Sequence, residues 1–365
     1  MSYSKILAID LGKFKSVGCF MDTASREHAF ATLETTREAI KAWVVTHAAA
    51  VASETLVAFE ACDAAGWVHD LLAPMGVAIV VVNCNDERWR WRKVKRKTDR
   101  DDALKLARLA LLDQLPSVHV PGPLSRQRRR LMLHRRSVVV RRTQCRNAIR
   151  SIFSQQGIAL ARGNKQWTIA GVEQLNGYAK PLADCDTENL WRGRLHAELE
   201  LIKGVDAQLK IMDRRLDELA DDRTQLLRTM KGVGPRLAEA VVLHLDDPHR
   251  FKHAEELASF AGLVPRQIES GQMSRYGHIT RRGPALLRSL LVEAAWTIWR
   301  YNDWAKAFVE KISRGGKGRR KLAIVALARK VLIVLWGMLK TNTPFKHPAA
   351  AETAAGAEAT TVALE

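Results

Sequence analysis

The chain has 365 residues, room for two or three domains, and 47% of them are hydrophobic, enough for a sizeable core in each. A formal net charge of +19 and a pI near 10.0 argue against an enzyme for small molecules and for a partner made of phosphates. The five cysteines are scattered and form no CxxC pair, which excludes a zinc ribbon and a disulfide framework.

Lys5 to Leu11 is a short apolar run that reads as a buried strand. Its Ile6–Ile9 core is too short for a signal peptide and runs straight into Asp10. Val17–Met21 and Ala29–Leu33 read as the next strands, and Thr35–Ala50 as a helix with Thr36 as its cap. Thr55–Phe59 is a further buried strand with Glu60 at its carboxyl end. Gly66–Leu72 reads as a helix and Val77–Val82 as another buried strand. Strands that first cluster and then alternate with helices predict a mixed α/β domain with a partly parallel sheet. Asp10 and Glu60 each close an apolar strand, where a lone charge is costly unless it faces a site. Open α/β sheets bind ligands outside the carboxyl ends of their strands. If these two strands are neighbours, the two carboxylates converge.

From Arg88 to Lys97 every residue is basic except Trp89, Trp91 and Val94. Arg88, Arg90, Arg92 and Lys93 suit a phosphate backbone, and Trp89 and Trp91 suit base stacking. Lys97-Thr98-Asp99-Arg100-Asp101-Asp102-Ala103 follows at the mouth of a helix. Asp99 and Asp102 stand i, i+3 on one face, with Cβ atoms roughly 5–6 Å apart. Like charges that close repel, and Mg²⁺ relieves the penalty by taking one or two carboxylates together with phosphate. The plain alternative is an acidic first turn complementing the helix dipole. Asp101 points about 100° away from Asp102 and is left outside the pair.

Pro121-Gly122-Pro123 breaks the chain. Ser125–Arg150 then carries ten arginines and no acid, with a helix-compatible apolar stripe at Leu131, Val138, Cys145 and Ile149 and with Leu133 and Val140 nearby. Uncompensated arginines in that number predict contact with nucleic acid, at Arg128, Arg129, Arg135 and Arg136 among others. Glu198–Arg228 is helical with mixed charge and suits a coiled-coil arm. Lys231-Gly232-Val233-Gly234-Pro235 precedes the apolar helix Leu237–Leu245. A GxG turn there presents backbone N–H groups of Gly232 and Gly234 to a phosphate, as in a helix-hairpin-helix. Phe260–Arg288 crowds glycine, polar and basic residues between helices: Gly262-Leu-Val-Pro-Arg266-Gln267, Ser270-Gly271, Gly277-His278-Ile-Thr-Arg281-Arg282-Gly283 and Leu287-Arg288. Arg266, Arg281, Arg282 and Arg288 suit phosphate. His249 and His253 complete no zinc site. Trp296, Trp299 and Trp304 follow helical spacing and read as core. Arg314–Lys321 reads as a flexible basic loop, Leu322–Leu339 as a packed helix rather than a membrane span, and Ala349–Glu365 as a disordered tail.

Asp10, Glu60 and Lys97–Ala103 resemble the four-carboxylate (DEDD) motif of a family of bacterial insertion-sequence transposases, bridge-RNA-guided serine recombinases. The order of motifs from Gly262 to Arg288 is similar to the C-terminal transposase domain of the same family. The resemblance implies a ribonuclease-H-like, RuvC-like α/β domain over 1–120 and a basic helix with a coiled-coil linker over 121–228. It implies a mostly α C-terminal domain with a helix-hairpin-helix-like motif over 229–348, before the tail at 349–365. It implies a carboxylate quartet of Asp10, Glu60, Asp99 and Asp102 holding Mg²⁺. Where the family pattern has an apolar residue, this chain has Asp101. Ser270 becomes the nucleophile, with Ser274 as the fallback and His278 as a candidate neighbour. The partners implied are the DNA of element ends and target, a structured guide RNA, and one or three further copies of the chain. The setting is cytoplasmic and nucleoid-associated, with no membrane. The rival readings are a junction endonuclease that uses water as nucleophile, and a non-enzymatic nucleic-acid scaffold.

Overall fold

The computed structural model describes residues 3–48, 50–83, 86, 98–270 and 273–346. The chain divides into two compact units, Met1–Arg126 and Gln127–Glu365.

The first unit is a five-stranded sheet with helices on both faces. β1 (Lys5–Asp10), β2 (Lys15–Asp22) and β3 (His28–Glu34) form an antiparallel meander. α1 (Arg37–Ala48) leads to β4 (Thr55–Glu60), and α2 (Ala65–Leu72) to β5 (Ala78–Val82). β4 and β5 add in parallel, so the order is β3-β2-β1-β4-β5. α3 (Asp99–Leu111) closes the series. β1, β4 and β5 read as apolar runs because both faces of the sheet are covered there, whereas the edge strand β3 is half-exposed. Leu7, Ile9, Val57 and Phe59 pack with Ile40, Trp43 and Val44 of α1 and Val68 and Leu72 of α2. Ile6, Ala8, Cys19 and Leu56 pack with Ala103, Leu106 and Ala107 of α3. Thr36 caps α1 as its sequence position predicts, its Oγ1 accepting from Ala39 N at 3.2 Å.

The second unit is helical apart from one hairpin. It takes all but the first residues of α4 (Pro123–Gln155), then α5 (Ile169–Tyr178), α6 (Leu190–Glu218) and α7 (Asp222–Arg228). α8 (Pro235–Leu245) and α9 (Ala254–Phe260) precede β6 (Pro265–Ser270) and β7 (Met273–Ile279). α10 (Ala285–Tyr301), α11 (Asp303–Ser313) and α12 (Arg320–Thr341) follow. α4 and α6 lie antiparallel within one chain: Arg135 pairs with Asp213, Arg142 with Asp206, and Phe153 is buried with Leu195 and Leu199. Val138 of the expected α4 stripe packs with Leu209 and Met212, whereas Leu133 and Val140 are exposed on the opposite side. A single large core gathers α8, α10 and α12 with Trp304 inside it and Trp296 and Trp299 at its margin.

Three local expectations give way to the structure. The helical run expected over Glu198–Arg228 is two helices, because Asp221 accepts from Thr224 N at 3.0 Å and starts α7 afresh. The basic stretch at Arg314–Lys321 is largely ordered into a short 3₁₀ turn, Lys317–Arg319, and the start of α12. The irregular stretch expected around Ser270 is the antiparallel hairpin β6–β7. The region Lys317–Thr341 is long and apolar enough to cross a membrane, and half of its apolar window is buried in the unit's own core. The tail at 349–365 lies outside the described residues.

Candidate active site

β1 and β4 are parallel neighbours in the register Ile9↔Phe59. Asp10 and Glu60, the next residue on each strand, therefore stand side by side at one end of the sheet. Side chains alternate between faces along a strand. Ile6, Ala8 and Leu56 face α3, so Asp10 and Glu60 emerge on the α3 face as well. Both are half-buried. In the first turn of α3, Asp102 is only 6% exposed and joins the sheet-facing residues Ala103 and Leu106, while Asp99 is exposed. The fold thus brings the two strand carboxylates together and sets Asp102 on the helix that covers their face.

Asp101 has a structural task. Thr98 caps α3, its Oγ1 accepting from Asp101 N at 3.3 Å. The Asp101 carboxylate accepts in return from Thr98 N at 2.9 Å and from Thr98 Oγ1 at 2.7 Å. This is a capping box, and Thr98-Asp99-Arg100-Asp101 carries its spacing in the sequence. The exchange orients Asp101 toward the N-terminus and leaves Asp99 and Asp102 on the other side of the turn.

Among the described residues no three His, Cys, Asp or Glu side chains are grouped closely enough to cage a metal ion. The donor set is nonetheless of hard carboxylate oxygens, half-buried to buried at three of its four positions. A hard divalent cation of the Mg²⁺ type uses one or two carboxylates and completes its shell with water and substrate phosphate. The residues present fit such an ion.

Ser270 lies in the second unit, at the end of β6, where it pairs with Met273. Gly271, Gln272 and the Ser270 side chain are outside the described residues. The base of this hairpin is closely packed and hydrogen-bonded. Gly262 (φ +67°) and Gly283 (φ +77°) let two segments cross at backbone distance; a Cβ would stand 2.1 Å from Arg282 O in one case and 1.9 Å from Phe260 O in the other. Thr280 N donates to Val264 O at 2.8 Å. Arg288 staples the crossing from below, donating to Ala261 O and Arg282 O at 3.0 Å each. Burial and then the Arg281 charge lower its pKa from the ordinary arginine value. Arg266, Arg281 and Arg282 are exposed at this base, as a phosphate-holding role requires.

The basic residues expected on α4 divide sharply. Arg128 is 5% exposed and its guanidinium lies 3.3 Å from the carboxylate of Glu239, itself 1% exposed. Arg129 donates through Nε to Leu243 O at 2.8 Å, and Arg135 makes a two-pronged pair with Asp213 at 2.7 and 3.0 Å. These arginines are compensated, by acids and carbonyls of α6 and α8 that lie about 75 residues or more away in sequence. The expectation that they wait for phosphate is corrected for Arg128, which is buried, and weakened for Arg129 and Arg135. Arg136 remains exposed, 3.6 Å from Glu293. Gly232 (φ +99°) packs so close that a Cβ would stand 2.7 Å from Ile298 Cγ1, so its backbone serves the core; Gly234 is exposed at the start of α8. Arg88, Trp89, Arg90, Trp91, Arg92 and Lys93 lie outside the described residues.

Two family models match the chain. Residues 7–157, which hold all four carboxylates, match the DEDD transposase model of the IS110 type. Residues 224–310, which hold Ser270, match the transposase model of the IS116/IS110/IS902 family. Among curated proteins, a probable family 20 transposase of Pseudomonas aeruginosa is 28% identical over 298 residues, 80% of this chain and 86% of the relative. The transposase for insertion sequence element IS1111A of Coxiella burnetii is 27% identical over 356 residues, 94% of this chain and 91% of the relative. The pilin gene-inverting protein of Moraxella bovis is 32% identical over 126 residues, 34% of this chain and 38% of the relative.

Proposed function

The chain belongs to the IS110-type DEDD transposase family, a DNA-acting transposase/recombinase of an insertion sequence, and from that premise we propose how it performs strand transfer. Asp10, Glu60, Asp99 and Asp102 form the cation site, and the DEDD domain of this family depends on a divalent metal. Mg²⁺ bound there would neutralise charge on the scissile phosphate. Ser270 is the nucleophile. Its Oγ forms a bond to phosphorus, the bond from phosphorus to one deoxyribose oxygen breaks, and that oxygen leaves with a proton. Attack by a deoxyribose hydroxyl on the serine–phosphate ester reverses the step on a new strand. Arg266, Arg281 and Arg282 hold the phosphate from the base of the hairpin. The turn at Gly234, in the manner of a helix-hairpin-helix, and the residues Arg88–Lys93 extend the grip on DNA. A structured RNA of the element pairs with donor and target, and the α4–α6 pair acts as a coiled-coil arm in a dimer or tetramer.

The observation that carries this reading is the parallel β1–β4 register, with Asp10 and Glu60 side by side on the face that α3 covers. The test compares Ser270→Ala with Asp10→Asn on DNA carrying the element ends and Mg²⁺. Ser270→Ala should abolish the covalent protein–DNA adduct, and Asp10→Asn should abolish cleavage altogether. Continued cleavage by Ser270→Ala would assign the nucleophile to water, as in a junction endonuclease. Unimpaired cleavage by Asp10→Asn would sink the carboxylate site.

A further inference from the structure

In the last turns of α4, beyond the Arg142–Asp206 pair, Arg146 and Arg150 form no ion pair with a described acid. Arg146 and Arg150, one turn apart, both set their guanidinium groups over the ring of Trp167, 4.8 and 5.4 Å from its centroid. Arg146 Nε is buried and makes no hydrogen bond. Burial, then the neighbouring Arg142, lower its pKa from the ordinary arginine value; Asp206 opposes them and Arg150 adds to them. Arg150 donates to Gly163 O at 2.8 Å. The loop that carries Gly163 is fixed by the buried Gln166, which accepts from Ala161 N at 2.9 Å and donates to Gly171 O at 2.8 Å. A hollow of about 380 Å³ opens between Arg150, Ser154, Arg162 and the Gly163 backbone. Arg162 is exposed at its wall and Lys165 is exposed next to the buried Gln166; neither forms an ion pair with a described acid. On α6, Asp206 is engaged by Arg142 and Glu198 faces Cys145. The sequence holds no acid between Asp113 and Glu173. The indole face offsets part of the mutual repulsion of the two guanidinium groups, and an anion would offset the rest.

We propose that this basic cluster — Arg146 and Arg150 over Trp167, with Arg162 and Lys165 on the loop that follows α4 — is a backbone-contact point for duplex DNA, built from residues other than the four carboxylates and Ser270. It rests on the reading of the chain as a DNA-acting transposase. The Trp167 ring is occupied by guanidinium groups rather than offered to a base, which suits a phosphate backbone and not the stacked loops through which RNA is recognised. The test measures binding of a mixed-sequence duplex of roughly 30 base pairs, about three helical turns, to the full chain across a salt series. The variant is Arg162→Ala/Lys165→Ala, whose two side chains are exposed and should leave thermal unfolding unchanged. Losing two phosphate contacts should lower the slope of log K against log salt by about 1.8 and weaken binding about tenfold at low salt. An unchanged slope and affinity would overturn the assignment, and so would a loss confined to a hairpin RNA. A wild-type chain with no salt-dependent affinity for the duplex would sink the DNA-acting reading itself, a different outcome from failure of this patch alone.

Discussion

The two halves of α4 look alike in sequence and differ in what surrounds them. Toward the N-terminus, Arg128, Arg129 and Arg135 meet Glu239, the Leu243 carbonyl and Asp213, and are drawn into the fold. Toward the C-terminus, Arg142 still meets Asp206, but Arg146 and Arg150 meet an indole ring, and on the loop beyond the helix Arg162 and Lys165 meet solvent. An arginine-rich helix is thus two things at once, a set of internal ties and a phosphate-facing surface. The difference lies in whether an acid or a carbonyl arrives from another helix.

Arg128 is the most tightly held of these arginines. Arg128→Ala leaves the buried Glu239 carboxylate with Arg236 as its ion-pair partner among the described residues, so the loss should approach but not exceed the about 3–5 kcal/mol of a fully broken buried pair. Urea denaturation should show that loss, while the salt slope for duplex DNA stays unchanged. A small stability loss with a changed slope would move Arg128 to the phosphate-facing class.

The next effect is a pH dependence at the same end of the helix. Burial, with Arg129 and Arg250 beside it, pushes His244 down from 6.5 to about 3. Below pH 6.5 the unfolded chain takes up a proton that folded His244 refuses, so stability falls as pH drops from about 6.5 toward 3, by up to about 1.4 kcal/mol per pH unit. Glu239 works in the opposite sense: burial raises its pKa above 4.5, so its proton uptake on folding favours acid pH. Comparing wild type with His244→Gln isolates the histidine, and the variant should show a flatter acid limb between pH 6.5 and 4.5. Parallel limbs would show that folding does not lower the His244 pKa.

The smallest effect sharpens the comparison at half-exposed pairs. A double-mutant cycle on Arg135 and Asp213 should return a coupling of about 1 kcal/mol, the upper end for a pair still open to water. The exposed contact of Arg136 with Glu293 should return less than about 0.5 kcal/mol. Equal couplings at the two sites would erase the gradient from half-buried tie to free surface.

Much of the first unit was readable from its residues. Apolar runs such as Thr55–Phe59 are long enough for strands and too short for helices, and a charge at the end of each marked Asp10 and Glu60. The capping box of Thr98 and Asp101 also stood in the sequence as a local spacing, and it separates Asp101 from its acidic neighbours. The β6–β7 hairpin was not readable. Among its described side chains Arg266, Gln267, Arg275, Tyr276 and His278 are all exposed, and their residue types carry no period-2 apolar signal.

What the sequence alone determined is what lies within a few residues: apolar period, caps, breaks, and the order of two motif sets. What only the tertiary structure decided is which distant residues meet. The strand order put Glu60 beside Asp10. The antiparallel packing of α4 with α6 brought Asp213 to Arg135, and α8 brought Glu239 to Arg128. A charge has no intrinsic period and no fixed partner along the chain; burial and the approach of an opposite charge set its energy, and both belong to the folded molecule.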